Sequence, residues 1–372
     1  MKELLSYLQQ HMPGILADVE RIVRIESPSR ERAAINRVQD VNQEWFGVLG
    51  QVHRHSSELG DILHVQVPGR GPGRVLLLAH MDTVYPIGTW KELWRTEGDL
   101  VYGPGTYDMK AGAVQALWAL RAARAMNRMP SSSIDLLLTP DEEIGSDAAR
   151  PFIEELARGA DAVLVLEAPF MNGDLKVARK GVGHYTIRVE GRAAHQGLEP
   201  EQGRNAIVSA AHLIREIVQL QDSGAGTTLG PNVIQGGTVS NVVADSATLR
   251  VDLRVWTLAE AQRVDAAIRS VTPLDGTHYE ITGGLNRPPM EPSDASMKLF
   301  QKAQRLAEDL GFKVGAARVG GASDGNLTSH LAPTLDGLGA MGANAHQKDL
   351  EYIHISSLAP RAALLAGMLV DS

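Results

Sequence analysis

A chain of 372 residues, 44% hydrophobic and 22% charged, is long enough for two domains and has the composition of an ordinary soluble globular protein. The formal net charge of −8, from 36 basic and 44 acidic residues, argues against a nucleic-acid-binding protein. The absence of cysteine excludes disulfides, thiolate metal sites and cysteine nucleophiles, so a metal site must use His, Asp and Glu.

The N-terminal segment predicts helices rather than a targeting signal. Apolar residues recur at helical spacing through residues 2–49. The segment has neither the apolar core nor the small-residue cleavage site of a signal peptide. No stretch approaches ~18 uncharged apolar residues, so no membrane span is expected. We therefore expect a cytoplasmic protein.

Three short apolar runs follow, each leading into polar residues, at 75–79, 134–138 and 162–166. Runs of this length are typical of strands that are buried on both faces. The Ala- and Leu-rich segment between the first two runs predicts a helix from Ala111 to Met126. This alternation indicates an α/β domain with a mostly parallel sheet flanked by helices, in which sites form at the carboxyl ends of the strands.

The pattern changes near residue 180 and changes back after Arg287. Between these points it predicts the order β-α-β-β-α-β of a ferredoxin-like α+β sandwich, with strands at 184–190, 233–239, 247–255 and 278–282 and helices at 205–220 and 258–270. Helices at 297–310 and 355–369 and a short strand at 312–316 are expected afterwards. We therefore predict one α/β domain, residues 1–179 and 288–372, into which a sandwich of residues 180–287 is inserted.

Side chains that could bind a metal follow each of the three predicted strands. His80 ends the first strand, and Asp82 is placed to hold the second ring nitrogen of that histidine. Asp141, Glu142 and Glu143 follow the second strand, and Glu167 ends the third. Of two adjacent glutamates, one can bind metal while the other reaches a water molecule, as a metal-activated hydrolase requires.

Taken singly, these residues have ordinary explanations. Asp108 comes after a Gly- and Pro-rich loop and before a helix, where Asp often serves as an N-cap, and consecutive acids are common in solvated loops. The combination is more specific, because His80 and His346 with Asp108, Glu143 and Glu167 supply the nitrogen and oxygen donors of a two-metal hydrolytic site.

The motifs resemble those of the metallopeptidase family of glutamate carboxypeptidases, aminoacylases, acetylornithine deacetylases and succinyl-diaminopimelate desuccinylases. In chain order they are His-x-Asp-Thr-Val at 80–84, Gly-Pro-Gly-x-x-Asp-x-Lys at 103–110, Asp-Glu-Glu-x-Gly-Ser at 141–146, Glu-Ala-Pro at 167–169, Ala-His-Gln-Gly at 194–197, Gly-x-Val-Ser-Asn-Val at 237–242, Gly-Gly-x-Ser-Asp-Gly at 320–325 and His346. Residues 80–85 and 239–249 most resemble bacterial, folate-hydrolysing glutamate carboxypeptidases. Met109 departs from close relatives, which often carry another residue beside the aspartate.

The resemblance implies a role for each matching residue of the metal site. Asp108 would bridge two divalent metal ions, Zn²⁺ in the first instance, although Co²⁺ and Mn²⁺ also suit such ligands. His80 and Glu167 would complete one metal site, and Glu143 and His346 the other. Glu142 would be the general base, with Asp82 supporting His80.

The same resemblance implies a lid and dimerisation role for residues 180–287. His195 would reach the active site of the partner subunit and stabilise the oxyanion. Arg254 and Asn241, with Gly321 nearby, would hold the free carboxylate of the substrate; the alternative for Arg254 is an outward-facing strand residue. The expected protein is thus a homodimer without nucleic-acid or membrane partners.

The expected reaction is hydrolysis of the amide bond of a C-terminal amino acid, by water that two metal ions activate. An N-acyl amino acid deacylase of the acetylornithine deacetylase or succinyl-diaminopimelate desuccinylase type is the alternative, because it shares every metal residue. A dipeptidase is a third possibility. A catalytically inactive scaffold protein is disfavoured, because all five ligands and the base are present.

Overall fold

The structure is a computed structural model that describes residues 1–274 and 276–370. The strands are β1 (Gln51–His55), β2 (Ile62–Val67), β3 (Arg74–His80), β4 (Arg95–Glu97), β5 (Leu100–Tyr102), β6 (Ser133–Thr139), β7 (Ala162–Val165), β8 (Leu175–Arg179), β9 (Gly181–Glu190), β10 (Thr228–Gly236), β11 (Ser246–Val255), β12 (His278–Arg287), β13 (Ala316–Val319), β14 (Thr334–Leu335), β15 (Gly342–Ala343) and β16 (Tyr352–His354). The helices are α1 (Lys2–Gln10), α2 (Met12–Val23), α3 (Arg32–Gly47), α4 (Ala111–Ala125), α5 (Arg150–Arg158), α6 (Ala206–Gln219), α7 (Leu258–Ser270), α8 (Asp294–Asp309), α9 (Gly325–Thr328) and α10 (Ile355–Val370).

The chain divides into two compact units. The first contains Met1–Ala178, Pro292–Val319 and the chain from Ser323 onward, and the second contains Arg179–Glu291 with Gly320–Ala322. Residues 179 and 287, the boundaries drawn from the sequence, lie at or near the ends of the second unit. The roles of the two units, as catalytic domain and as lid and dimerisation domain, remain predictions.

A six-stranded sheet in the order β1-β2-β6-β3-β7-β14 forms the centre of the first unit. Strands β6, β3, β7 and β14 are parallel, whereas β1 and β2 form an antiparallel hairpin at one edge. One sheet face packs on α4 and α10, and the other packs on α5 and α9. Consecutive β3 residues, such as Leu77 and Leu78, are buried on opposite faces, which is why the strand is apolar from Val75 to Ala79.

The second unit is the expected α+β sandwich. Its four strands pair antiparallel in the order β10-β11-β9-β12, and α6 and α7 pack on the sheet. Strand β11 alternates buried and exposed or partly exposed residues, as a sheet with one covered face requires. Both predictions of fold class, a mostly parallel sheet flanked by helices and a ferredoxin-like α+β unit, are confirmed.

Two short elements differ from the sequence-based prediction. Residues 312–315 do not form a strand, because Gly311 adopts a φ of +90° at the end of α8 and the Phe312 amide donates to the Ala307 carbonyl oxygen at 3.0 Å. This arrangement closes the helix, and the strand begins only at Ala316. Strand β10 ends at Gly236, before Val239, because Gly237 has a φ of +70°.

Within residues 1–274 and 276–370, no helix combines the length and the apolar character needed to cross a membrane.

Candidate metal centre

The predicted ligands meet where three parallel strands of the first unit end. His80 is the last residue of β3 and pairs in register with Thr139, the last residue of β6. The acids Asp141, Glu142 and Glu143 follow Thr139 after Pro140, and Glu167 lies two residues beyond the end of β7. Because these strands run in the same direction, their polar continuations lie at one edge of the sheet. The parallel register therefore assembles the acids around His80.

Asp108 lies between the two histidines. Its Oδ1 is 3.1 Å from His80 Nε2, and its Oδ2 is 3.2 Å from His346 Nε2. His346 Nε2 is also 3.1 Å from Glu143 Oε2, and His80 Nε2 is 3.5 Å from Glu167 Oε1. One carboxylate thus contacts a histidine on each side, and each histidine contacts a further glutamate.

A close approach of helix and strand positions Asp108 and Glu167. Asp108 lies in the turn Thr106–Lys110 that leads into α4, and its own backbone dihedral angles, φ −121° and ψ 89°, are not helical. A Cβ atom on Gly112, in the first turn of α4, would lie 2.2 Å from the Leu166 carbonyl oxygen. Only glycine fits at this point, because any larger residue would clash with the backbone of the segment that follows β7. The segments that carry Asp108 and Glu167 can therefore pack against each other.

His80 is held so that Nε2 faces the other ligands. Its Nδ1 lies 3.0 Å from the Asp82 backbone oxygen and 3.4 Å from Asp82 Oδ1. A proton on Nδ1 is donated to these oxygens and leaves the Nε2 lone pair for a metal ion. Met109 is buried, and its Sδ accepts a hydrogen bond from the His80 backbone N–H at 3.4 Å. Met109 thus packs against the backbone of His80.

Asp82 has a second set of contacts that the sequence did not reveal. Its carboxylate accepts hydrogen bonds from the backbone N–H groups of Glu142 at 3.1 Å and Glu143 at 3.2 Å. Ser29 Oγ donates to Asp82 Oδ2 at 2.6 Å. The fully buried Asp82 therefore fixes both His80 and the turn that presents the two glutamates.

The charges of the cluster perturb one another strongly. Hydrogen bonds to Asp108 and Glu143 raise the pKa of His346 to about 11. Burial alone would raise the pKa of Asp108, but hydrogen bonds from His346 and His80 outweigh it and hold that pKa well below its usual value. Burial raises the pKa of Glu143. The histidines therefore stabilise the charged form of Asp108, whereas burial disfavours that of Glu143, and a bound metal ion would supply positive charge to both while replacing protons on the histidines.

The donor set fits divalent metal ions. Ligand atoms of His80, Glu142 and Glu167 lie within 4.8 Å of one another, and so do those of His80, Asp108 and Glu143. Imidazole nitrogen with carboxylate oxygen is the ligand combination of catalytic zinc, cobalt and manganese sites. Glu142, the predicted base, lies within reach of the same atoms.

Two further buried groups belong to this region and were missed from the sequence. Glu351 is buried close to Asp108, and burial raises its pKa to about 7. Lys110 Nζ donates to the Ile25 carbonyl oxygen at 2.7 Å, and burial lowers its pKa to about 7. Lys110 could have been singled out, because it closes the motif at 103–110. Glu351 carries no sequence signal beyond its closeness in the chain to His346.

A cavity of about 610 Å³ opens beside Glu143. Its wall includes Ser29 and the apolar side chains of Val84, Ile87 and Ile144. Val84 is 39% and Ile87 is 53% exposed, so both apolar side chains are available for contact with a ligand. The sequence could not assign this wall, because it is formed by loops.

The remaining predicted residues belong to the second unit. His195 is exposed, and its Nδ1 accepts a hydrogen bond from the Gly197 amide at 3.1 Å. The neighbouring Gln196 amide donates to the Asn241 carbonyl oxygen at 3.0 Å, so the segments of His195 and Asn241 are adjacent. Gly321 accepts a hydrogen bond from Arg179 at 3.0 Å.

Arg254 has a partner within its own strand. Its Nε and one Nη donate to the two Asp252 carboxylate oxygens at 2.9 and 3.0 Å. The side chains lie two residues apart on β11 and so share one face of the sheet. The Asp252 carboxylate thus fixes the orientation of the Arg254 guanidinium.

The chain is similar to known hydrolases over most of its length. Residues 76–371 match the sequence profile of the peptidase family M20/M25/M40. Carboxypeptidase G2 of Pseudomonas sp. (strain RS-16) is 30% identical over 374 aligned positions, which cover 96% of this chain and 89% of that protein. Succinyl-diaminopimelate desuccinylase of Dechloromonas aromatica (strain RCB) is 28% identical over 73% of this chain and 74% of its own.

Solved structures share the fold. Aminopeptidase PepT from Bacillus cereus ATCC 10987 superimposes with a TM-score of 0.81 at 23% identity, covering 97% of this chain and 98% of that one. The M20 family metallo-carboxypeptidase Sso-CP2 from Sulfolobus solfataricus gives a TM-score of 0.75 at 16% identity, covering 95% and 98%. The match to the family over residues 76–371 and the similarity to carboxypeptidase G2 agree with the motifs and the clustered acids. The chain belongs to the peptidase family M20/M25/M40 and is a hydrolase of peptide or acyl-amino acid bonds.

Proposed function

We propose that this protein is a two-metal carboxypeptidase that releases a C-terminal amino acid, glutamate in the first instance, by hydrolysing its amide bond. The observation that carries the proposal is the placement of Asp108 between His80 and His346, each of which contacts a further glutamate. The similarity to carboxypeptidase G2 supports this reaction over the others of the family.

In this proposal, His80, Asp108 and Glu167 hold one divalent ion, and Asp108, Glu143 and His346 hold the other. Zn²⁺ is the ion proposed, with Co²⁺ and Mn²⁺ as compatible substitutes. Such a pair of ions lowers the pKa of a water molecule and polarises the amide carbonyl.

Glu142 moves the proton in the proposed reaction. Its carboxylate takes a proton from the attacking water, whose oxygen forms the new bond to the carbonyl carbon. The C–N bond then breaks, and Glu142 returns the proton to the leaving amine. The hydrogen bond from the Glu142 amide to Asp82 Oδ1 orients this residue, and it ties the base to the residue that also holds His80.

Arg254 and Asn241, with Gly321 nearby, bind the free carboxylate of the released amino acid in this proposal. A guanidinium has five N–H donors, and the hydrogen bonds to Asp252 use two of them. Donors therefore remain for a substrate carboxylate, with which Arg254 would form a charge-assisted pair. Such a pair would position the amide bond for attack.

A substrate panel tests the proposal against its alternatives. The zinc-loaded protein is expected to hydrolyse N-acyl-glutamates at least ~10-fold faster, as kcat/KM, than N-acetylornithine, N-succinyl-diaminopimelate or simple dipeptides. We infer this preference from the resemblance to glutamate carboxypeptidases and the similarity to carboxypeptidase G2, because the Arg254 clamp would bind the free carboxylate of all these compounds alike. Chelation should abolish the activity, and added Zn²⁺ should restore it.

Two other outcomes of the panel are informative. A preference for acetylornithine or succinyl-diaminopimelate would show that the protein is a deacylase with the same metal residues and not a carboxypeptidase. The similarity to the desuccinylase supports this alternative. No hydrolysis of any compound by the metal-loaded protein would contradict both.

We further propose that the second unit forms a homodimer through one edge. Strand β10 is an edge strand of its sheet, and its Val233 and Ile234 are 43% and 48% exposed. On the adjoining helix α6, Ile207 and Val208 are also exposed. An edge strand beside exposed apolar side chains is a surface that another copy of the chain can cover.

In the dimer, His195 is proposed to serve the active site of the partner subunit. Heterodimers of His195→Ala and Glu142→Gln chains would then have one site with both residues intact. Co-expression in equal amounts should therefore recover roughly a quarter of wild-type activity, since half of the dimers are mixed and each has one working site. Each variant alone serves as the control. Activity no higher than the sum of the two controls would show that His195 acts within its own subunit or not at all.

A further inference from the structure

Glu351 is a fully buried carboxylate with three hydrogen-bond donors around it. Its Oε1 accepts the backbone N–H groups of Tyr107 at 2.9 Å and Asp108 at 3.1 Å. Its Oε2 accepts the Tyr85 hydroxyl at 2.7 Å. One carboxylate therefore holds the backbone of the proposed shared ligand and the loop that follows His80.

The backbone of Glu351 is itself fixed to the segment that carries His346. The Glu351 amide donates to the Gln347 carbonyl oxygen at 3.0 Å, and the Gln347 amide donates to that of Asn344 at 2.9 Å. The next residue, Tyr352, begins β16 and pairs with Tyr102 of β5, just before the loop that leads to Asp108. Glu351 is thus the link between the His346 loop and the Asp108 turn.

We propose that Glu351 is a positioning residue that fixes Asp108 between His80 and His346 and thereby sets the affinity of the site for metal. The inference rests on the proposed role of Asp108 as the shared ligand. Without Glu351, two backbone N–H groups and a hydroxyl would be buried without their acceptor. The two N–H groups belong to Tyr107 and Asp108, so bringing them to another acceptor of the protein would move the turn that carries Asp108. Residues that hold a metal ligand in this way strongly affect metal affinity.

Three substitutions separate the effect of the side-chain length of Glu351 from the effect of its charge. Glu351→Gln keeps the length and one oxygen, which can still accept both N–H groups, but it removes the charge. Glu351→Asp keeps the charge but shortens the side chain by one methylene. Glu351→Ala removes both. The affinity for Zn²⁺ alone is measured by competition with a chromophoric chelator, so the readout does not depend on turnover.

The expected result is a zinc Kd within ~3-fold of wild type for Glu351→Gln and a Kd raised ~10–100-fold for Glu351→Asp and Glu351→Ala. Asp135→Ala is the matched control. It removes another buried carboxylate, which accepts from His64 at 2.6 Å and Arg74 at 3.1 Å near the start of β6. This variant should lose stability but bind Zn²⁺ as the wild type does, which separates positioning from general destabilisation.

Each other pattern overturns the inference. If Glu351→Asp binds like wild type while Glu351→Gln binds weakly, the charge matters and the positioning does not. If all three variants bind like wild type, Glu351 has no role in the site, although the proposed metal centre stands. If the wild type itself binds no Zn²⁺, the proposed function fails together with this inference. Should Glu351→Ala not fold, the Gln and Asp pair decides.

Discussion

Glu142→Gln is expected to lower kcat by ~10²–10⁴-fold while both metal ions stay bound, because a positioned general base contributes about that much and an amide cannot take the proton. The substitution keeps the size of the side chain and leaves the backbone N–H that donates to Asp82 Oδ1 in place. Steady-state kinetics on an N-acyl-glutamate and the metal content of the purified protein measure the two effects separately.

Glu31→Gln is the matched control for this substitution. Glu31 is an exposed carboxylate that lines the cavity beside Glu143, and it has no proposed role in proton transfer. The kcat of the Glu31→Gln variant should stay close to that of the wild type. A Glu142→Gln variant that is nearly as active as wild type would remove Glu142 as the base. If the Glu142→Gln variant instead loses metal, Glu142 is a metal ligand. Its carboxylate lies within 4.8 Å of ligand atoms of His80 and Glu167, so this role is also open to it.

Asp108→Ala is expected to abolish binding of both metal ions and to reduce kcat/KM by ~10³-fold or more, since a metal ion supplies several kcal/mol of stabilisation to the transition state. The carboxylate contacts His80 through one oxygen and His346 through the other, so its removal affects both proposed sites at once. In the wild type, Zn²⁺ at 100 times its Kd should stabilise the fold by ~2.7 kcal/mol for each site that it fills, seen as a higher Tm. The variant should lose this zinc-dependent rise.

Asp135→Ala controls for the loss of a buried carboxylate that is hydrogen-bonded to a histidine. Asp135 lies on β6, the strand that leads to the metal centre, and it contacts His64 and Arg74 instead of the predicted ligands. Its baseline Tm should fall, but the rise caused by Zn²⁺ should persist. An Asp108→Ala variant that still shows the full zinc-dependent rise would contradict the role of Asp108 as the shared ligand.

The strands that carry the metal centre could be predicted because their sequence is constrained on both faces. Residues 75–79 and 162–166 are apolar throughout, and residues 134–138 are apolar except for Asp135. Each run is followed by a polar residue that buried packing alone would not select. Parallel pairing of β3, β6 and β7 then brings these polar residues to one edge. The clustering of His80, Glu143 and Glu167 is therefore a consequence of strand pattern and strand direction.

The contacts that orient these ligands could not be predicted in the same way. Asp82 supports two glutamates as well as His80, and Glu351 supports Asp108, through hydrogen bonds to backbone N–H groups. Every residue has such a group except proline, so the sequence carries no mark of which one a carboxylate will bind. The prediction of a strand at 312–316 was wrong, also because of a backbone hydrogen bond. The left-handed turn at Gly311 lets the Phe312 N–H bond to the Ala307 carbonyl oxygen, so Phe312 closes the helix although it has strand propensity.

The proposed ligands are spread along the chain from His80 to His346, and the whole second unit lies between Glu167 and His346. Loops of this length close late, because the entropy of closing them must be overcome before the ends can interact. A metal ion would therefore meet a complete set of donors only in a nearly native chain. Its contribution would be absent from the transition state of folding. Bound metal would then slow unfolding strongly and change the rate of refolding little. The ions would give kinetic stability to a fold that the polypeptide reaches without them.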